Sequence, residues 1–154
     1  MTYSIKDVSE ILGLSIYTIR FYDKQGLLPF VSRNKAGNRE FTESDLGLFK
    51  VICCLKDSGM QIKDIKKYID LCMEGAKTID PRKDLLVKHR EEVLSQIDQL
   101  TKMLQVINFK IGIYESPNAE EIINEQRRRS YEEKCENNLL EDITPLSDNS
   151  SYTR

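Results

Sequence analysis

Tryptophan is absent from this 154-residue chain and histidine occurs once. A single imidazole leaves little for acid–base catalysis, and no Ser/His/Asp set, glycine-rich phosphate loop or cleft-forming carboxylate pair accompanies it, so no catalytic residue and no enzyme activity are expected. No apolar run approaches the ~18 residues of a membrane span. The amino terminus has no secretory apolar stretch either, which predicts a cytoplasmic protein with no membrane partner. The four cysteines, Cys53, Cys54, Cys72 and Cys135, lack framework spacing and read as reduced thiols. A soft-metal site needs two to four convergent thiolates or imidazoles. The sole histidine, His89, has no cysteine one turn away and is expected on the surface, so neither metal nor cofactor is expected.

What is present is charge, unevenly placed. The net value is −2. Residues 1–41 hold six basic and four acidic side chains, residues 42–113 hold twelve and eleven, and residues 114–154 hold five and ten. An acidic tail therefore hides a mildly basic front half, and the total does not exclude a phosphate-bearing partner.

Helical spacing begins at once. Ile5, Val8, Ile11 and Leu12 share a face, with Ser4 as cap and Gly13 as stop. Ser15 caps a second short helix whose inward positions are predicted as Ile16, Ile19 and Phe21. Two helices separated by a glycine turn make a helix-turn-helix pattern. Gly26 and Pro29 close the second helix, and "NKAGN" is a turn between the extended pieces "FVSR" and "NREF". That is a small basic wing. Thr42 with Asp45 opens a third helix carrying Leu46, Phe49, Ile52 and Cys53 on one face, and Gly59 ends it. A fourth helix follows with Ile62, Ile65, Ile69 and Cys72.

From Pro81 to Tyr114 only Gly112 interrupts a long polar helix. Its apolar stripe is Val93, Ile97, Leu100, Leu104, Ile107, Ile111 and Tyr114, at alternating gaps of four and three. No other helix of similar length exists to cover it, so a homodimer through this stripe is predicted; packing back onto the front domain is the alternative. The fold expected is mostly α: a winged helix-turn-helix domain over residues 1–75, a dimerisation helix over 80–114, and an acidic, partly disordered tail over 115–154. Within that tail one helix over about 119–135 fits, and the polar end after Asn137 has a disordered composition.

The second helix leaves Tyr17, Thr18, Arg20, Tyr22 and Lys24 outward, a face of hydrogen-bond donors that phosphate oxygens and base edges accept. Arg33, Lys35 and Arg39 extend it along the wing. One such residue alone is ordinary surface polarity; together with cap, glycine turn and basic hairpin they read as double-stranded DNA binding. Salt separates this from a coiled-coil protein-interaction module, because only phosphate contacts weaken steeply as salt rises.

The stretches "TIRFYDKQGLL", "AGNREFTESDL" and "SGMQIKDIKKYI", in this order and spacing, resemble the MerR family of bacterial transcription regulators, and the long helix resembles theirs too. The resemblance implies an antiparallel coiled-coil dimer on a pseudo-palindromic promoter. It bends and untwists an overlong spacer so that RNA polymerase can engage both promoter elements, an indirect-readout mechanism. By motif position Thr18, Arg20 and Tyr22 contact DNA from the recognition helix, and Arg33 and Arg39 from the wing. Cys54 and the residues Glu74, Gly75, Thr78, Arg82, Leu85 and Leu86 resemble the branch that senses aldehydes and other electrophiles through one cysteine. Cys54 is turned about 100° from the core-facing Cys53, with Lys50 one turn before it and Asp57 nearly one turn after. Two alternatives stay open: both cysteines are small core hydrophobes, or the regulator answers metal or redox signals. Cys72 is read as structural and Cys135 as exposed.

Overall fold

The computed structural model describes residues 1–139. It divides into two units, Met1–Gln99 and a second from Leu100 onward. The disorder expected after Asn137 falls mainly on residues 140–154, which lie outside the described residues.

In the first unit a short strand β1 (Thr2–Ser4) leads into α1 (Ile5–Leu12), then α2 (Ile16–Lys24), β2 (Ser32–Arg33), β3 (Arg39–Thr42), α3 (Glu43–Asp57) and α4 (Ile62–Met73). A 3-10 turn over Gly75–Thr78 precedes α5 (Ile79–Glu115). Local chemistry sets most of these boundaries. Ser4 and Asp7 form a reciprocal capping box at α1, Thr42 and Asp45 another at α3, and Ser15 caps α2 by accepting the Thr18 amide. Gly13 ends α1 at φ +65°, a backbone state that side chains with Cβ disfavour.

β1 is a strand that sequence analysis missed. It pairs antiparallel with β3, Tyr3 opposite Phe41, and β2 pairs on the other side of β3, giving the order β1-β3-β2. The wing is thus anchored to the amino terminus. Behind it, Val8, Ile19, Phe41, Phe49, Ile52 and Ile65 have no more than 1% exposure and form one core with Leu27, Leu28 and Ile69. Each such side chain contributes ~1.5–3 kcal/mol of transfer free energy. The core draws on α1 to α4 and β3, so the helix-turn-helix cannot shift without disturbing α3.

In the second unit the latter part of α5 ends at Glu115, and α6 spans Ala119–Glu136. Ile113 is buried, Ile122 and Ile123 half-buried. On α6, Glu125 accepts from Arg128 at 2.7 Å and Arg129 at 3.0 Å, which holds its carboxyl at about 2. These are exposed i,i+3 and i,i+4 pairs on a solvated face. Among the described residues no helix is long and apolar enough to cross a membrane.

Candidate nucleic-acid interface

The capped, glycine-terminated α1 presents α2 along its length. Tyr17 is 80% exposed, and Arg20 and Lys24 are exposed with it, so positions i, i+3 and i+7 of one helix carry phenol, guanidinium and ammonium into solvent. Thr18 is half-buried, its hydroxyl 2.8 Å from Ser15 Oγ at the helix cap.

Tyr22 departs from expectation. It is 6% exposed, packs edge-on against Phe49 at 6.1 Å between ring centroids, and burial raises its phenol above the ordinary range. Phe21, predicted inward, is instead 39% exposed. Helix geometry explains both. At 100° per residue Tyr22 lies about 60° from Ile19, whereas Phe21 lies about 160° away. The helical angle, and not the apolar character of the residue, decides which ring faces the core.

The wing turn is built on Asn34. Its Oδ1 accepts the amides of Ala36 at 3.0 Å and Asn38 at 3.1 Å, and Gly37 adopts φ +81°. Lys35 stands exposed in that turn. Arg33 is exposed and donates to the Gly37 carbonyl at 2.9 Å. Arg39 is not at the tip: only 22% of its side chain is accessible. Its Nε donates to Asp23 Oδ2 at 3.1 Å, its Nη2 to Asp23 Oδ1 at 2.5 Å, and its Nη1 to the Val31 carbonyl. Asp23 therefore belongs to this site, although no motif reading had singled it out. Between α2 and the wing lies a groove of about 480 Å³ whose walls include Arg20, Asp23, Arg33, Asn38 and Arg39.

Cys54 is exposed near the end of α3, and Cys53 is half-buried with its thiol pushed up by burial and by nearby Asp57. The Cys54 carbonyl accepts from the Ser58 hydroxyl at 2.7 Å, and the same oxygen of Ser58 lies 2.7 Å from His89 Nε2 on α5. His89 is 6% exposed and not the surface residue expected. A polar side chain carries no weight in an apolar-periodicity reading, so its partner Ser58, capping the end of α3, was invisible there. Thr78 and Arg82 also have a local role. The Thr78 hydroxyl donates to the Leu71 carbonyl at the end of α4, and Arg82 Nη2 donates to the Gly75 carbonyl at 3.1 Å. Cys72 is half-buried and Cys135 exposed. Among the described residues no group of three or more His, Cys, Asp or Glu side chains could hold a metal ion.

On α5, Val93 is half-buried, while Ile97, Leu100, Leu104, Ile107 and Ile111 are 45–63% exposed. Met103, Val106 and Phe109 are also exposed, beyond the stripe foreseen from spacing.

Against known proteins, residues 3–72 match the MerR HTH family regulatory protein model, and residues 48–108 match the MerR, DNA binding model. An HTH-type transcriptional regulator of Haemophilus influenzae is 40% identical over 119 residues, covering 77% of this chain and 88% of its own length. The chain belongs to the MerR family. Its solved relatives include HiNmlR, described as a MerR family regulator lacking the sensor domain, bound to promoter DNA. That structure is 40% identical, with a TM-score of 0.70 over 77% of this chain and 94% of its own. A MerR family regulator from Bacillus thuringiensis is 44% identical, with a TM-score of 0.68 over 73% of this chain and 98% of its own. These MerR relatives are transcription regulators, not enzymes, and so is this chain: a DNA-binding transcription regulator built around a helix-turn-helix.

Proposed function

We propose that this MerR-family chain binds a pseudo-palindromic promoter as a homodimer and activates transcription by deforming an overlong spacer for RNA polymerase, in response to aldehydes or related electrophiles. The observation carrying the reading is the exposed Tyr17, Arg20 and Lys24 face of α2, set across a groove from a wing that exposes Arg33 and Lys35. One helix in the major groove with a flanking basic hairpin divides the work into base contacts and phosphate contacts. The promoter-bound relative, 40% identical, supports this assignment.

The dimer reading rests on the half-exposed heptad positions Leu100, Leu104, Ile107 and Ile111, whose spacing fits a second copy of the same helix. Two linked reading heads multiply phosphate contacts. Smooth bending of a 20–30 bp site costs about 1–6 kcal/mol, which those contacts must offset. The effector reading rests on Cys54. Its thiolate would add to an electrophilic carbon, and its carbonyl meets Ser58, which in turn meets His89 of α5. An adduct at that helix end would act on the junction between α3 and α5.

The test starts with duplexes selected by the protein from a random-sequence library. Arg20→Ala should weaken binding in an anisotropy titration by roughly tenfold or more if Arg20 reaches a base edge. Parent affinity should also fall steeply between low and moderate salt. Affinity independent of salt, or unchanged by Arg20→Ala, would remove this face from the interface.

A further inference from the structure

A carboxylate in the middle of a surface built for DNA is an electrostatic anomaly, because every phosphate repels it. Asp23 occupies that position. It sits in the last turn of α2, one turn beyond Arg20, and lines the groove facing the wing. Its side chain is only 25% accessible.

The wing explains its presence. Arg33 of β2 and Arg39 of β3 are direct cross-strand partners, and like charges placed opposite one another in an antiparallel pair destabilise it. The Asp23 carboxylate lies against both. Arg39 meets it with two parallel N–H donors at 3.1 and 2.5 Å, the bidentate fork that lysine cannot reproduce, and Arg33 Nη2 is 3.5 Å from Oδ2. Arg39 also bonds the Val31 carbonyl, and Arg33 the Gly37 carbonyl. One side chain of α2 thus reaches both strands of the hairpin and, through Arg39, the segment entering it.

We propose that Asp23 is a positioning residue for DNA recognition: by clamping Arg39 and neutralising the Arg33–Arg39 pair, it sets the distance from α2 to the wing. Arg39 then serves the clamp, and Arg33 and Lys35 are the wing's DNA-contacting cations. The inference rests on the DNA-binding reading above, and its sign is opposite to simple electrostatics. Asp23→Asn raises the charge of the DNA-facing surface by one unit, which by itself tightens binding to any duplex. Loss of the clamp loosens it.

The experiment measures anisotropy and hydroxyl-radical footprints on a duplex the parent protein has selected from a random library. Asp23→Asn should bind about tenfold more weakly despite its extra positive charge, as for a charge-assisted bidentate contact. Flanking protections from the wing should fade while central protections from α2 persist. Asp23→Glu, which keeps the carboxylate, should restore most of both. Arg39→Lys keeps the charge but loses the fork, so it should reproduce Asp23→Asn and serves in its place should that variant not fold. Binding by Asp23→Asn or Arg39→Lys as tight as the parent's, or a uniform loss with flanking protection intact, overturns the positioning role. If the parent selects no duplex at all, the DNA-binding reading itself fails and this role falls with it.

Discussion

Phe49 is the side chain on which the reading surface rests. It is fully buried, with its ring centroid 6.1 Å from Tyr22 on the back of α2 and 6.2 Å from Phe41 on β3, the second strand of the wing. Phe49→Ala removes about 150 Å² of buried apolar surface, worth roughly 4 kcal/mol at about 25 cal/mol per Å². The two ring contacts add ~0.5–1.5 kcal/mol each, and partial collapse of the neighbours returns some of it, so the net expectation stays within the ~3–5 kcal/mol typical of such truncations. A typical domain has only ~5–15 kcal/mol in total. Urea denaturation followed by circular dichroism measures the loss, at one fixed protein concentration because the proposed dimer would make stability depend on it. A midpoint shift equivalent to less than about 1 kcal/mol, with the slope unchanged, refutes the idea that this aromatic trio supports helix and wing together.

Leu104→Glu combined with Ile107→Glu should convert the protein to monomer in sedimentation velocity, since both positions lie on the exposed stripe of α5; a dimer that survives two buried carboxylates excludes this seam. Iodoacetamide at neutral pH should label exposed Cys54 and Cys135 before Cys53, whose thiol is half-buried and pushed up by that burial, leaving less thiolate. Peptide mass mapping reads the order, and early labelling of Cys53 contradicts the packing of α3. Thr42→Ala breaks the capping box at α3 and should cost about 1 kcal/mol; an unchanged melting temperature means the cap contributes nothing.

Much of this architecture was legible because its signals are local. Ser4, Ser15 and Thr42 mark three helix starts, and Gly13 and Gly59 two helix ends, through bonds and backbone angles that span only a few residues. The uninterrupted helix Ile79–Glu115 was equally plain. Exposed positions of α2 such as Tyr17, Arg20 and Lys24 followed from angle alone. Tyr22 was misplaced by residue character, not by lack of information, since its angle relative to Ile19 already pointed inward.

The rest required partners distant in the chain. β1 is three residues long and becomes a strand only because β3 lies beside it. His89 finds Ser58 across 31 positions, and Arg39 finds Asp23 across 16. No periodicity encodes such pairs, because a charged or polar side chain adds nothing to an apolar pattern and its hydrogen bond is directional and short. Local chain chemistry is enough to place where helices begin, end and turn their apolar sides. Tertiary structure alone decided which cations face solvent and which are already committed to a carboxylate, since that choice depends on distances of about 3 Å between segments that only folding brings together.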